Sequence, residues 1–504
     1  MAHERTYLLR FSGDLSIKRG RAFAQFRGQL ARNLRAAMRD HGLPFTLELA
    51  RNRFFLSSTA EAGDVLSRVF GIQSFSPIEH RPWSTFDDLV RAGEELFTEA
   101  VRDKSFAVRV RRSRIRGQVD WTSESLERAL GARLLPHARR VDLSHPEVTA
   151  SIELDPGTAH LFCDVVPGPA GLPIGCEGRV LALISGGIDS AAAVWLLLKR
   201  GVQVDYLFYN LGGSDHENQV LEVIEVLARR WSYGYRPKLW LHDLRPWVDV
   251  LRERTPERLW QVVLKRLMLR GGDVLAARGG ALALATGEAI GQVSSQTLEN
   301  LAAIESGSPT PVLRPLLAFD KAEIVELARR VGTYELSAKV PEYCALHGRG
   351  PAIAARAADL DAAERALDVE AFVASVADSP RLDLRSRRRP ASAAGGSEPL
   401  ALDFVPDDAV VLDLRSPGAF AAWHYPGAVR MDYSEALRAY PHVDPARAYL
   451  VCCEVEFKSA DLTERLRAAG RRAHYFAGGT GKLLKWAAAR ELVDPRSVAP
   501  AVRE

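Results

Sequence analysis

The chain has 504 residues, of which 47% are hydrophobic and 26% charged, with a formal net charge of +4. That length predicts about three to four domains with real cores, and so small a net charge means that a nucleic-acid partner must be argued from local patches. Five cysteines exclude a disulfide scaffold, the charged start Met1-Ala-His-Glu-Arg5 has no apolar leader, and no apolar run approaches the roughly 18 residues of a membrane span; the expectation is a cytoplasmic protein without a membrane partner.

In chain order, residues 7–11 predict a strand, 21–39 a long arginine-rich helix, 45–49 and 54–56 two short strands, and 61–70 a helix. This βαββα order suggests a small ferredoxin-like α+β unit. Residues 106–116 predict a strand whose polar positions are nearly all arginine, followed by a helix near 125–135 and strands at 148–154 and 159–164. Alternate positions of a strand share a face, so Arg109 and Arg111 can follow a phosphate backbone. A merely solvated strand face is equally compatible with the charge pattern.

The most informative stretch is Ser185-Gly186-Gly187-Ile188-Asp189-Ser190. It joins an apolar run at 180–184, long enough for a strand buried on both faces, to an Ala-rich apolar run at 191–198 that reads as a helix. Gly186 and Gly187 let backbone N–H groups face a ligand at a helix N-terminus, a ready anion site, and Ser185 and Ser190 add hydroxyl donors. Asp189 reads either as part of that site or as an ordinary helix-start carboxylate. The loop lacks the lysine of a Walker A motif; the nearest lookalike, Gly478-Gly479-Thr480-Gly481-Lys482-Leu483, has the wrong spacing and Leu after the lysine. The hexapeptide instead resembles the pyrophosphate-binding loop of ATP pyrophosphatases, which cleave ATP between the α and β phosphates.

Strands at 204–209, 238–241 and 281–286 then alternate with helices at 218–231 and 260–277. That pattern predicts a doubly wound parallel sheet with its ligand at the C-terminal ends of the strands. Residues 208–213, Lys265-Arg266 and the polar stretch 286–296 fall on those ends, which favours a site over plain loops. From the residues alone, Lys321 is an exposed helix-start lysine, and Cys344, Cys163 and Cys176 are small buried hydrophobes. Residues 379–402, rich in Arg, Pro, Ala, Ser and Gly, read as a flexible basic linker. A last α/β segment follows, with strands at 409–414 and 448–452. The second runs into Cys453, in a loop that opens a helix at 460–469, where backbone N–H groups and the helix dipole lower a thiol pKa. Glu454 and Glu456 act against that lowering and Lys458 with it.

The chain as a whole resembles the tRNA 4-thiouridine synthetases that carry a C-terminal rhodanese domain. Ile17-Lys18, the arginine strand and Val141-Asp-Leu-Ser-His-Pro-Glu-Val148 are similar to the ferredoxin-like plus THUMP pair of tRNA-modifying enzymes. Pro341-Glu342-Tyr343-Cys344 matches a family motif, and Asp413-x-Arg415, His424-x-Pro426-Gly427-Ala428, the Cys453-x5-Ser459 loop and Gly478-Gly479 with Trp486 are similar to a rhodanese. The implied architecture is α/β and α+β multidomain. A ferredoxin-like segment spans 1–60, THUMP 61–167, a doubly wound ATP-pyrophosphatase domain 177–378, the linker 379–402 and a rhodanese-like domain 403–495.

The resemblance also implies roles. Leu183, Ile184, Ser185, Gly186, Gly187, Asp189, Ser190, Lys265, Gly287 and Gln296 match positions that hold ATP, with Asp189 orienting Mg2+ or the phosphates. Arg109, Arg111 and Lys321 fall to tRNA or adenylate handling, and Cys453 and Cys344 to sulfur transfer, ending in a Cys344–Cys453 disulfide. No resident metal site is expected. The implied partners are tRNA, a cysteine desulfurase as sulfur donor and a reductant for the disulfide; a homodimer is compatible. Relatives of this shape also pass sulfur to a carrier protein for the thiazole of thiamine, and the residues leave open whether this chain does. Two rivals remain open: an amide ligase of the ATP-pyrophosphatase class, and a non-catalytic tRNA-binding protein.

Overall fold

The computed structural model describes residues 4–50, 52–112, 119–340, 350–384, 399–454 and 457–493. The chain divides into two units, Met1–Pro173 and Ile174–Glu504.

In the first unit, β1 (Arg5–Phe11) leads to α1 (Gly20–Asp40), which buries Leu30, Leu34, Ala37 and Met38 along one helical stripe. Strands β2 (Thr46–Leu49), β3 (Arg53–Ser58) and β4 (Ile72–Pro82) complete an antiparallel order β2-β3-β1-β4, the ferredoxin-like arrangement expected from the sequence. The helix expected over 61–70 shrinks to Gly63–Leu66. Glu61 is tied instead to Tyr7 of β1 and to the Gly63 amide, and Gly71 turns the chain with a φ of +101°.

Strand β4 continues into a second half of the same sheet. There α2 (Phe86–Val101), β5 (Ser105–Arg111), α3 (Ser123–Leu134), β6 (Arg140–Val141), β7 (Val148–Asp155), β8 (Thr158–Phe162) and β9 (Val166–Pro167) follow. The path runs β2-β3-β1-β4-β8-β7-β5-β6, with β9 paired to β4. Leu89 and Phe97 of α2 and Leu126, Leu130 and Leu134 of α3 close over Phe106, Val108 and Val110 of β5.

The second unit opens with β10 (Arg179–Leu183), α4 (Ile188–Lys199), β11 (Gln203–Asn210), α5 (Gly213–Val226), β12 (Lys238–Asp243), α6 (Trp260–Gly279), β13 (Ala283–Ala285), β14 (Val312–Leu313), α7 (Lys321–Val331) and β15 (Arg381–Asp383). The order is β14-β13-β10-β11-β12-β15, parallel except for the antiparallel edge strand β15. Because β10 lies between β11 and β13, the order reverses at its C-terminal end, which is where an open α/β sheet binds ligands. Helix α5 begins five residues before its expected start at 218. The polar run 213–217 carries no apolar period, and what starts the helix is a turn in which the Gly212 amide donates to Asn210 Oδ1 at the end of β11. Of the stretch 379–402, residues 381–383 and 401–402 are paired strands.

The third sheet holds β16 (Ala401–Leu402), β17 (Ala409–Asp413), β18 (Val429–Arg430), β19 (Ala448–Cys452), α8 (Phe457–Ala468), β20 (Arg472–Phe476) and α9 (Gly479–Ala488). Its strands are all parallel in the order β16-β20-β19-β17-β18, and central β19 is buried throughout. Among the described residues no helix is long and apolar enough to cross a membrane.

Candidate functional site

The loop after β10 is built by close approach. Gly186 has a φ of +79°, and a Cβ there would stand 2.8 Å from Val220 Cγ2, so α5 packs directly on the loop. Ser190 Oγ donates to the Gly187 carbonyl at 3.0 Å and accepts from the Ser185 amide at 3.4 Å, folding the loop back on the first turn of α4. Ser185 stays exposed while Ile184 and Ser190 are buried. On the far side, a Cβ on Gly287 would meet the Ser190 backbone N at 2.7 Å. Only glycine fits there.

Asp189 lies in the first turn of α4, where the helix dipole favours a carboxylate. Its Oδ1 pairs with Lys321 Nζ at 2.8 Å, and its Oδ2 accepts from Gln292 Nε2 at 2.9 Å. Lys321 is the first residue of α7, whose start is set by a capping box between Asp320 and Glu323. The exposed helix-start lysine of the sequence thus reaches the loop across 132 residues of chain. Lys265, on α6, pairs with Glu288 Oε1 at 2.9 Å, and Glu288 also accepts from Arg314 Nε at 3.0 Å and Thr286 Oγ1 at 2.9 Å. Burial opposes the Glu288 charge, yet Lys265 and Arg314 hold its carboxyl below the usual range. Gln296 Oε1 accepts from the Ala289 amide at 3.3 Å, bracing the same polar stretch. Leu183 is half-buried against the hydrophobic core.

Sequence reasoning missed Gln292, Glu288, Arg314 and His216 as individuals. Gln292 and Glu288 lie inside the stretch 286–296 singled out for its polarity; Arg314 and His216 carried no signal. His216 is hydrogen-bonded to the Ser185 backbone, and burial pushes its pKa down to about 4, so the ring is neutral near pH 7. Arg266, next to Lys265, is buried and faces Glu364 at 3.4 Å. In the first unit, Arg109 and Arg111 are the exposed positions of β5, and Arg109 Nη2 donates to the Leu143 carbonyl at 2.6 Å.

The second cluster lies at the end of β19. Cys452 is the last, buried residue of the strand and Cys453 the first beyond it. Cys453 Sγ lies 3.3 Å from Ser459 Oγ and accepts from the Ser459 amide at 3.3 Å. A Cβ on Gly479, whose φ is +68°, would stand 2.4 Å from the Glu454 carbonyl oxygen, and the Thr480 amide donates to the Cys453 carbonyl at 3.2 Å. The start of α9 thus clamps this loop as Gly287 clamps the other. Asp413 and Arg415 form a buried ion pair at 2.6 Å, and Arg415 also donates to the Trp423 carbonyl, which braces the end of the sheet.

The position of Cys453 at a helix start predicts a lowered thiol pKa, and the structure reverses that expectation. Cys453 is 1% exposed, and burial pushes its thiol up despite the Ser459 hydrogen bonds and the Lys458 charge; Glu454 adds to the rise. Glu456 and Cys344 lie outside the described residues. Cys163 and Cys176 are partly buried, and burial pushes Cys163 up to about 11.

Comparison with known proteins bears on both clusters. Residues 175–369 match the family described as thiamine biosynthesis protein (ThiI), 6–76 its ferredoxin-like domain, 84–164 the THUMP domain and 401–485 the rhodanese-like domain. A tRNA sulfurtransferase of Pyrobaculum aerophilum is 39% identical over 469 residues, spanning 92% of this chain and 94% of that protein. One from Desulfurococcus amylolyticus is 33% identical over 482 residues, spanning 95% and 98%. Among solved structures, a 4-thiouridine synthetase in complex with RNA and bound ATP superposes with a TM-score of 0.67 at 29% identity, over 75% of this chain and 99% of that one.

Proposed function

Because this chain belongs to the tRNA sulfurtransferase (ThiI) family, we propose that it activates the uridine at position 8 of tRNA with ATP and replaces its O4 with sulfur carried as a persulfide on Cys453. The product is 4-thiouridine. The observation that carries this reading is the convergence of Lys321 and Gln292 on Asp189 at the glycine loop, against which Gly287 packs too closely for any Cβ.

A loop of this kind at a helix N-terminus suits a pyrophosphate group. The amides and hydroxyls of 185–190 hold negative charge without bringing a competing ion, and Lys321 is placed to exchange its partner from Asp189 to a phosphate. Among the described residues no three His, Cys, Asp or Glu side chains gather as a metal site. A magnesium ion bound through Asp189 and the nucleotide's own phosphates fits that donor set, since Mg2+ is commonly held by one or two carboxylates plus phosphates. ATP supplies the adenylate that makes O4 a leaving group. Lys265, fixed by Glu288, and Gln296 complete the nucleotide side, while Arg109 and Arg111 on β5 contact tRNA phosphates.

A cysteine desulfurase loads Cys453. The terminal persulfide sulfur attacks C4 and AMP departs with O4; the Cys344 thiolate then attacks Cys453 Sγ, freeing the sulfur on C4 and leaving a Cys344–Cys453 disulfide for a two-electron dithiol reductant. The same persulfide serves a sulfur-carrier protein in the thiamine branch, and a homodimer is compatible with the scheme.

The test is pyrophosphate release from ATP, followed with and without tRNA, together with nucleoside mass spectrometry of the tRNA. Release should rise on adding unmodified tRNA, with 4-thiouridine appearing when desulfurase and cysteine are supplied. Release indifferent to tRNA would favour an amide ligase, and no release at all a binding protein.

A further inference from the structure

Helix α5 faces two ways. Val220 packs on Gly186 of the ATP loop, and one turn earlier Glu217 and Asn218 reach the cysteine loop. Lys458 Nζ lies 2.7 Å from Glu217 Oε1 and donates to Asn218 Oδ1 at 3.1 Å, while Asn218 Nδ2 donates to the Glu454 carboxylate. Glu217 is fixed from behind, its Oε2 accepting from Asn210 Nδ2 at 3.3 Å. The Lys458 side chain is only 3% exposed. A buried ammonium is tolerated when its charge is met, and Glu217 meets it. A second contact ties α8 to the edge strand, with Arg465 Nη2 donating to the Arg381 carbonyl at 2.9 Å.

The contacts at Glu454 and Lys458 hold the loop at the residue that follows Cys453 and at the first turn of α8. A sulfur carrier has to meet a donor and an acceptor in turn, yet this thiol is closed to solvent.

We propose that Glu217 and Asn218 form a docking face on α5 for a closed state, in which Lys458 and Glu454 lock the cysteine loop beside the ATP loop and shield its thiol from solutes. Loading then requires release of this latch, because the donor must reach the sulfur that the latch covers. The biological consequence rests on the reading of Cys453 as the sulfur carrier; the shielding itself is a property of the thiol and is measured without tRNA, ATP or desulfurase.

The experiment is the rate of iodoacetamide alkylation of Cys453 in the full chain at neutral pH, resolved from the other cysteines by peptide mass spectrometry, beside the same chain unfolded in denaturant. The native thiol should react about a hundredfold more slowly than the unfolded one, as expected when reaction needs local opening. Glu217→Lys should speed alkylation about tenfold or more, Asn218→Ala should speed it by less, and the exchange Glu217→Lys with Lys458→Glu should restore slow reaction. If Glu217→Lys fails to melt cooperatively, Asn218→Ala carries the test. Native alkylation as fast as unfolded, folded variants reacting at the native rate, or an exchange that does not restore protection would each overturn the latch. Failure of the sulfur-carrier reading would show separately, as unchanged 4-thiouridine in Cys453→Ser.

Discussion

The loop after β10 and the loop after β19 are two versions of one local design. Each leaves a buried parallel strand, turns within a few residues and opens a helix, and each is clamped by a glycine from elsewhere in its domain: Gly287 for the first, Gly479 for the second. Their chemistry diverges because of what stands over them. The glycine loop keeps Ser185 exposed and gathers a lysine and an amide on one carboxylate. The cysteine loop meets α5 through Lys458 and Glu454, its thiol is buried, and desolvation outweighs the hydroxyl, amide and lysine that would otherwise favour its thiolate. A strand–loop–helix turn offers donors; whether it presents them or hides them is decided by the neighbouring element.

The largest expected effect separates the two loops. Asp189→Ala removes the partner of both Lys321 and Gln292 and should cut 4-thiouridine formation about a hundredfold or more, with tRNA affinity retained in a filter-binding assay. Unchanged thiolation would remove Asp189 from the reaction. Next, Gly287→Ala pushes a Cβ into the Ser190 backbone and should weaken ATP binding about tenfold by calorimetry, while Cys453 stays as slow to alkylate as in the parent chain. Faster alkylation in that variant would mean that the two loops are not independent.

The mirror substitution, Gly479→Ala, places a Cβ against the Glu454 carbonyl at a positive φ. It should cost about 1–3 kcal/mol of stability in denaturant unfolding and reduce labelled sulfur accepted from a desulfurase, leaving tRNA-stimulated pyrophosphate release intact. The smallest effect concerns pH. Burial, together with Asp383 of β15 and Asp461, pushes Glu464 on α8 up to about 7. The folded state therefore keeps a proton that the unfolded chain gives up above the ordinary carboxyl value, and this contribution to stability falls as pH rises from the ordinary carboxyl range to about 7. Glu464→Gln should flatten that part of the melting-temperature profile; a parallel profile would show that Glu464 does not titrate in this window.

Much of the architecture was legible in the sequence because it follows from near neighbours. The apolar run at 180–184, the two glycines and the apolar helix after them dictate a buried strand, an anion-facing turn and a helix wherever they occur. Alternation put Arg109 and Arg111 on one exposed face of β5, as the structure has them. Elements without such a period were misjudged. The first turn of α5 is polar and was missed, the helix over 61–70 lost most of its length to the turn at Gly71, and β15 was hidden in a stretch that looked like linker.

The hexapeptide, the arginine strand and the Cys453-x5-Ser459 spacing were thus determined locally, by periodicity and backbone freedom over a few residues. Tertiary structure decided the partners: Lys321 and Gln292 for Asp189, Arg314 beside Lys265 on Glu288, and Glu217 for Lys458. It also reversed the expected state of Cys453. No local pattern encodes these outcomes, because the cost of burying a charge or a thiol depends on which distant side chains replace the water it loses.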